Sequence, residues 1–295
     1  MKVLTFADLH LRSTVPSCID STQSEWMATQ KEALNKVLEI AVDNNVEYIL
    51  VGGDIFHSEQ TASFECIYMF QEFAAEAWEK NIKVRIIAGN HDLPGHSSSN
   101  ISKSAIGVLM GSRCIGTMKS EATSPVWGCN FDDDNYYDYK YIFKHVLCIP
   151  KENKPEYVDC ETPEILLDKY PFAEIIFTGD YHRNFLYVGN GKYKGRYVVN
   201  SGCLTKQASD LENYETGVYV TDLEKKEIRW FKIDVCQKFV KNAKVAVDES
   251  MMDFVNGIKR EMVTLDFVGT LKNQIQDKDE GLKKKVNSWI EEIGQ

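Results

Sequence analysis

The sequence predicts an α/β protein with parallel strands, and two observations lead to this prediction. Three strand-like apolar runs alternate with two helix-like stretches before residue 90. Such an alternation builds strand–helix–strand crossovers, which place successive strands parallel in one sheet. In addition, polar groups able to bind metal follow directly after these runs. The carboxyl ends of parallel strands are where the functional crevice of such a sheet lies.

The strands of the first half are predicted at 2–7, 46–51 and 83–88, because each is a short apolar run rich in β-branched residues. Amphipathic helices are predicted at 24–44, with Ser24 as the cap, and at 61–80, where apolar residues recur at helical spacing. Further strands are expected at 139–146 and 173–178. The segments 196–199, 216–221 and 228–233 have the pattern of a late antiparallel meander, whose last pair turns at 223–225.

Length and composition indicate one large domain with a small addition. The chain has 295 residues, of which 43% are hydrophobic and 26% charged, values ordinary for a globular protein. Its character changes near Lys238, so we predict a main domain at 1–238 and a small C-terminal α+β appendage at 239–295. In the appendage we expect helices at 250–260 and 279–293 and a strand at 262–267.

Charge and cysteine usage restrict the environment and the partners. The net charge of −10 argues against a stand-alone nucleic-acid binder, since such domains are usually basic. The eight cysteines form no C-x-x-C pair, which favours free thiols in a reducing compartment. No apolar stretch is long enough to span a bilayer. We therefore expect a cytoplasmic protein without a membrane partner or signal peptide.

The residues that carry chemistry fall in five groups, each after a predicted strand. They are Asp8 with His10, Asp54 with His57, Asn90 with His91, the lone His145, and Asp180 with His182. Taken singly, each group is weak, and His145 alone is more often a satisfied core histidine than a ligand. Five of the six histidines lie in these groups. Their joint occurrence at strand ends marks a site.

Oxygen and imidazole ligands in this mixture suit manganese, iron or zinc better than calcium. One carboxylate can bridge two cations, and Asp54 is the natural candidate. Two ions roughly 3.5–4 Å apart clamp a phosphoryl group and bind a hydroxide between them as the nucleophile. Because Asp8, Asp54 and Asp180 contribute −3 against +4 from two divalent ions, the site would carry about +1 before the hydroxide binds. That charge matches a phosphodiester, although a phosphomonoester would also be attracted.

His91 and His57 need not bind metal. Their expected role is to stabilise the transition state, with His91 protonating the leaving oxygen as a general acid. Arg183, next to the last group, is a candidate substrate-binding residue. A solvated surface charge is the alternative for Arg183 and for the other basic residues.

In the order of these motifs the sequence resembles the calcineurin-like metallophosphoesterase superfamily over residues 1 to about 235. The segments 8–11, 53–57 and 89–92 are most similar to DNA repair and recombination nucleases of the SbcD type. The resemblance implies a two-sheet β-sandwich flanked by helices, two manganese ions, and exonuclease and endonuclease activity on duplex ends or single strands of DNA. It also implies an SMC-like ATPase partner of the SbcC type, and it permits a homodimer.

Matching the motifs implies two overlapping ligand sets that share Asp54. One ion would be held by Asp8, His10, Asp54 and His182. The other would be held by Asp54, Asn90, His145 and Asp180. The family normally has G-H-x-H where this chain has Gly179-Asp180-Tyr181-His182. Asp is a competent ligand there, but it lowers the charge of the site by one unit.

Three functional hypotheses follow from the sequence. The first is a manganese-dependent DNA nuclease, and the second is a small-molecule or nucleotide phosphoesterase of the same superfamily. His57 argues mildly for the first, and the acidic composition mildly for the second. The third is a non-catalytic scaffold that keeps the fold and binds a protein, an option invited only by Asp180.

Overall fold

A computed structural model describes residues 1–58, 62–119, 124–133, 138–155 and 157–240. The strands in these residues are β1 Lys2–Phe6, β2 Tyr48–Val51, β3 Lys83–Ile86, β4 Ile115–Thr117, β5 Trp127–Cys129, β6 Tyr141–His145, β7 Ile175–Gly179, β8 Phe185–Val188, β9 Tyr197–Asn200, β10 Gly217–Asp222 and β11 Glu227–Lys232. The α-helices are α1 Gln23–Asp43, α2 Phe64–Glu79, α3 Ala105–Met110 and α4 Pro163–Lys169.

The described strands form two mixed sheets. In the first sheet the order is β11-β10-β1-β2-β3-β4. Strands β1 to β4 are parallel, β10 is antiparallel to β1, and β11 is antiparallel to β10. In the second the order is β5-β6-β7-β9-β8, with only β8 antiparallel. The prediction of parallel strands with crossover helices is therefore confirmed.

The two sheets pack face to face, and helices cover the outer face of each. Val3, Leu50, Phe143 and Phe177 belong to a buried cluster that draws on both sheets. The residues that alternate with these in β1 and β2 lie on the other face of the sheet and pack with α1, α2 and α3. This alternation follows from the two-residue period of a strand. The expected α/β sandwich flanked by helices is confirmed.

The N-terminal cap of helix α1 lies two residues before the expected position. Thr22, and not Ser24, caps the helix, because its side chain accepts a hydrogen bond from the Glu25 backbone. The Glu25 carboxylate in turn accepts the Thr22 backbone N–H at 2.8 Å. This reciprocal capping box satisfies two N–H groups that the first turn leaves without partners.

The sequence prediction of a three-stranded late meander is wrong. β9 pairs with β7 and β8 in the second sheet, while β10 and β11 form a hairpin on the first. The hairpin turns where expected, since the Asp222 carboxylate accepts the backbone N–H groups of Glu224 and Lys225 at 3.2 Å each. The strands β4, β5 and β8 were not predicted.

The interior between the sheets is a major source of stability. Phe143 is fully buried there, with its ring centroid 5.7 Å from that of Phe177. We expect Phe143→Ala to lower the free energy of unfolding by about 3–5 kcal/mol, because it deletes packed atoms and leaves a cavity. Urea denaturation measures this loss. Phe172→Ala is the matched control, since Phe172 is 64% exposed and its truncation should cost about 0.5 kcal/mol or less. A loss below about 1 kcal/mol for Phe143→Ala would contradict the packing described.

Residues 1–15 and 21–237 form one compact unit, and residues 16–20 with the chain from 238 form another. In the second unit Ile19 pairs with Phe239 as an isolated antiparallel bridge. The elements predicted at 250–260, 262–267 and 279–293 lie outside the described residues, and the domain boundary stays a prediction. All eight cysteines are free thiols. Among the helices that are described, none has the length and apolar character needed to cross a membrane.

Candidate metal centre

The predicted site residues come from the carboxyl ends of strands in both sheets. Asp8, Asp54 and Asn90 follow β1, β2 and β3 of the first sheet. His145 ends β6, and Asp180 follows β7, in the second sheet. Because parallel strands end at the same edge, five separate stretches of chain deliver ligand-type residues to one region.

The turns that deliver these side chains use an uncommon backbone conformation. The φ angles are +54° at Asp8, +46° at His10, +51° at Asp54 and +84° at Asp180. Non-glycine residues rarely adopt positive φ, and Asp tolerates it better than most. Strained backbone of this kind concentrates at functional sites, where the surrounding structure holds it in place.

The structure brings the ligand-type atoms together in three overlapping triads within the described residues. The atoms in each triad lie within 4.8 Å of one another, and the triads are Asp8–His10–His182, His10–Asp54–His91 and Asp8–Asp54–His145. Each triad shares a member with the other two. The triads therefore form one continuous cluster with room for more than one cation.

Asp54 lies between the two halves of this cluster. Its Oδ2 is 3.7 Å from Nε2 of His10, and its Oδ1 is 3.6 Å from Nε2 of His145. On the first side, Nε2 of His10 is 3.0 Å from Nε2 of His182. On the second, Nε2 of His145 is 3.0 Å from Oδ1 of Asn90. The two carboxylate oxygens thus face different groups of ligands, as a bridging residue requires.

The orientation of the His145 ring is fixed by its Nδ1 atom. Its Nδ1 lies 2.7 Å from the Gly52 carbonyl oxygen, which can only accept, so Nδ1 carries the hydrogen. Nε2 is then the atom that faces Asp54 and Asn90. Histidine ligands in proteins are usually fixed in this way by a carbonyl or carboxylate.

The buried carboxylates are incompletely hydrogen-bonded. Asp8 and Asp54 are both buried, and Oδ2 of each has no hydrogen bond within the part of the chain described. A buried and incompletely paired carboxylate is costly. A divalent cation at each oxygen would remove this cost, so the residues present fit the two-ion site that their types predict.

The pKa values reflect the same electrostatics. Burial raises the pKa of Asp8 to about 6, although His182 opposes the change. Burial also acts to raise the pKa of Asp54, but His145 and His10 outweigh it and hold the pKa below its usual value. For His145, burial lowers the pKa but the Asp54 carboxylate prevails, raising it to about 10. The pocket therefore attracts positive charge, which a divalent cation would supply.

A sequence model of calcineurin-like phosphoesterases matches residues 1–233. The chain belongs to this family. Calcineurin-like phosphoesterases are metal-dependent hydrolases, so the protein is an enzyme of that class. No curated protein sequence matches the chain.

Two solved structures are similar to the chain at low sequence identity. A dimetal phosphatase from Danio rerio is 9% identical with a TM-score of 0.47, over 82% of this chain and 99% of that one. The Pseudomonas putida nuclease MPE is 14% identical with a TM-score of 0.32, over 74% of this chain and 83% of that one.

His57 and His91 of the phosphoesterase stack beside the ligand cluster. Their ring centroids are 5.8 Å apart at an interplanar angle of 22°, and His91 lies 4.9 Å from the ring of His10. Nδ1 of His91 donates to the His57 carbonyl oxygen at 2.8 Å. Burial and the neighbouring Arg12 lower the pKa of His57 to about 4. Both imidazoles are thus next to the candidate ligands, while their catalytic roles stay predictions.

Asp180 and Arg183 occupy the rim of the site. Asp180 is in none of the triads found in the described residues, and its backbone N–H donates to Oδ1 of Asp8 at 2.8 Å. Burial raises the pKa of its carboxyl group. Arg183 pairs with Asp210 at 2.9 Å and lies over the ring of Tyr214 at 4.3 Å. The metal role of Asp180 and the substrate role of Arg183 remain predictions.

The sequence analysis missed the residues that hold these loops. Asn200 is fully buried, and its amide donates to the carbonyl oxygens of Tyr181 and Arg183. Gln207 donates to the carbonyl oxygens of Leu9 and His10 at 3.1 and 3.0 Å. No pattern in the sequence marks either residue, because each acts on a loop distant in the chain.

Asp92 is a third such residue, and its presence in the G-N-H-D motif could have revealed it. Its carboxylate accepts backbone N–H groups from Gly89, Ile55 and Phe56 at 3.0, 3.3 and 3.1 Å. It therefore ties the loop after β3 to the loop after β2. These are the loops that carry Asn90 and Asp54.

We expect Asp92→Asn to weaken metal binding by about 10-fold to 100-fold, because partners outside the ligand shell orient the ligands. The asparagine NH₂ group is a donor, so it could not accept the backbone N–H groups that now donate to a carboxylate oxygen of Asp92. Isothermal titration with Mn²⁺ measures the change. Asp43→Asn, at an exposed position on α1, controls for the loss of one negative charge. Equal affinities for the two variants would contradict this role for Asp92.

Proposed function

We propose that this phosphoesterase is a manganese-dependent nuclease that hydrolyses phosphodiester bonds in DNA, acting in repair or recombination. The observation that carries the proposal is the charge of the candidate ligand set. Asp8, Asp54 and Asp180 would contribute −3, so two divalent cations would leave the centre at +1 before a hydroxide binds. With the hydroxide bound, a phosphodiester would leave one excess negative charge on the centre and a phosphomonoester dianion two. The larger excess is the less favourable in a largely buried pocket.

The protein's own residues then divide the work. Asp8, His10, Asp54 and His182 would hold one ion, and Asp54, Asn90, His145 and Asp180 the other. Bound there, the ions would supply Lewis acidity and an activated water at neutral pH. His91 holds its Nδ1–H on the His57 carbonyl oxygen. Its Nε2 is thereby available to carry a proton to the leaving oxygen.

A groove beside the site offers space for the rest of the substrate. It has a volume of about 300 Å³, and it is lined by Asn153, Asp180, Tyr181, His182 and Arg183 among others. Backbone phosphates and nucleobases are bound by cationic and aromatic groups of this kind. Arg183, already stacked on Tyr214, is the candidate to contact a phosphate flanking the scissile bond.

Turnover of DNA, of a chromogenic diester and of a chromogenic monoester in the presence of Mn²⁺ tests the proposal. Linear duplex and single-stranded DNA, bis(p-nitrophenyl) phosphate and p-nitrophenyl phosphate are compared, with Asp54→Ala as the inactive control. We expect cleavage of DNA and of the diester, and slow turnover of the monoester. Efficient turnover of the monoester without any cleavage of DNA would overturn the proposal.

The second candidate is a phosphoesterase acting on a small molecule or nucleotide. The net charge of −10 favours it, because an acidic surface repels a polyanion. The same comparison separates the two, since DNA cleavage should fall steeply with added salt while turnover of a small diester should not.

A partner would resolve the conflict between the acidic surface and a DNA substrate. We propose that an SMC-like ATPase of the SbcC type supplies the basic surface. Co-purification with such an ATPase, and DNA cleavage that rises on adding it, are the expected results. A homodimer is the other assembly to examine, by sedimentation of the protein alone.

A further inference from the structure

Arg12 and His57 are held side by side by an extension of the first sheet. Beyond the ends of β1 and β2 the two loops continue to pair in parallel. The Leu11 N–H donates to the Ile55 carbonyl oxygen at 2.8 Å, and the His57 N–H donates to the Leu11 carbonyl oxygen at 3.2 Å. Arg12 is the next residue along the chain, so its position opposite His57 is set by backbone hydrogen bonds.

Helix α1 fixes the Arg12 backbone from the other side. The Gln30 side chain accepts the Arg12 N–H at 3.1 Å and donates to the Arg12 carbonyl oxygen at 2.9 Å. The Trp26 indole donates to the same carbonyl oxygen at 3.1 Å. Both side chains are fully buried. A buried glutamine on the apolar face of a helix therefore hydrogen-bonds to the backbone of one loop residue. Burying a polar side chain costs free energy, and this cost is justified where the loop residue must be placed accurately.

The Arg12 side chain determines which ring nitrogen of His57 carries the hydrogen. A terminal nitrogen of the guanidinium lies 2.9 Å from Nε2 of His57. Arginine stays protonated and has no acceptor, so it must be the donor and Nε2 the acceptor. The hydrogen of the neutral imidazole is then on Nδ1. His57 can donate from Nδ1, and its Nε2 cannot bind a proton while Arg12 occupies it.

His91 has the complementary arrangement. Its Nδ1 faces the His57 carbonyl oxygen at 2.8 Å, which can only accept. Nδ1 of His91 is thus the fixed donor, and Nε2 is the nitrogen that carries no hydrogen in the neutral ring. Two stacked imidazoles beside one ligand cluster are therefore held for different tasks.

We propose that Arg12 is a positioning residue that fixes His57 as a neutral Nδ1–H donor to a phosphoryl oxygen, leaving proton transfer to His91. The proton that reaches the leaving oxygen comes from Nε2 of His91, and His57 keeps its own. The catalytic part of this inference rests on the proposed phosphodiesterase function, while the link between Arg12 and His57 does not.

Nitrogen NMR of ¹⁵N-histidine-labelled protein tests the link directly. The protein is loaded with zinc, which is diamagnetic, and the His57 signals are assigned with a His57→Gln variant. In the wild type we expect a protonated Nδ1 and an unprotonated Nε2. Arg12→Ala should shift His57 toward the Nε2–H form, and Arg12→Lys should restore part of the Nδ1–H form. Arg229→Ala, at a highly exposed position, should change nothing.

Steady-state kinetics on bis(p-nitrophenyl) phosphate test the catalytic part. Arg12→Ala should lower kcat by roughly 10-fold, the usual effect of removing a partner that orients an active-site group, with little change in KM. A raised KM with unchanged kcat would show that Arg12 binds the substrate itself, and would overturn the proposal. So would a His57 tautomer that does not respond to Arg12→Ala. Wild-type protein that hydrolyses no diester would refute the proposed function, and with it the catalytic part, whatever the NMR shows. Near-UV circular dichroism establishes that each variant is folded.

Discussion

Asp54→Ala is expected to remove the bridge between the two cations and to lower diester turnover by about a thousandfold or more. The Asp54 oxygens face His10 on one side and His145 on the other, so one substitution acts on both halves of the cluster. Electrostatic stabilisation by metal ions contributes several kcal/mol to the transition state, and about 4 kcal/mol corresponds to a factor of about a thousand in rate. Metal content by mass spectrometry should fall from two ions per chain.

The control for Asp54→Ala is Glu39→Ala, which removes an exposed carboxylate from α1. It should retain both the metal content and the activity of the wild type. A protein with Asp54→Ala that still binds two ions, or that turns over at more than about a tenth of the wild-type rate, would show that the ions are held elsewhere.

His91→Asn is expected to have the second largest effect, and an effect that depends on the leaving group. A general acid contributes about 10²-fold to 10⁴-fold when the leaving oxygen needs a proton. A nucleoside leaving group needs one, whereas p-nitrophenolate is stable without it. DNA cleavage should therefore fall by about 10²-fold or more, and turnover of bis(p-nitrophenyl) phosphate by much less.

The loss of proton transfer can be distinguished from a loss of metal only if the His91→Asn protein still binds its metal ions. His91 shares a triad with His10 and Asp54, so metal content has to be measured on the same sample. His96→Asn is the matched control, because His96 ends the short 3₁₀ helix Pro94–His96 and is in none of the triads. Equal losses on both substrates with two ions still bound would contradict the general-acid role.

The placement of the ligand groups was predictable from the sequence because their chemistry coincides with the ends of strands. Asp8 and Asp54 follow apolar runs of strand length, and parallel strands end at a common edge. Their convergence in one cluster follows from that topology. The β-sandwich itself was implied by the resemblance of the motifs and not by periodicity.

The unpredicted parts depend on pairing between distant segments. β4 and β5 have three residues each, too few to show a period. β9 was assigned to the wrong sheet because an isolated apolar run gives no information about its neighbours. Gln30 carried a signal, since it is a polar residue on the apolar face that Leu34 and Val37 define. The sequence does not show the role of Gln30, because its side-chain amide hydrogen-bonds to both the N–H and the carbonyl oxygen of Arg12, on a distant loop.

Asp180 has the greatest influence on substrate choice in this account. Before a hydroxide binds, the centre would carry +1 with aspartate there, and +2 with the family's usual histidine. The alternative that Asp180 marks a non-catalytic scaffold requires that the other ligands fail to bind metal. Asp8 and Asp54 argue against this, because each leaves a buried carboxylate oxygen without a hydrogen bond in the described part of the chain.

Anomalous X-ray diffraction from crystals soaked in Mn²⁺ would locate the two-ion centre that we expect Asp54 to bridge. We expect two anomalous peaks roughly 3.5–4 Å apart, one next to His10 and His182 and the other next to Asn90 and His145, with Asp54 between them. A single peak, or peaks away from these side chains, would contradict this expectation.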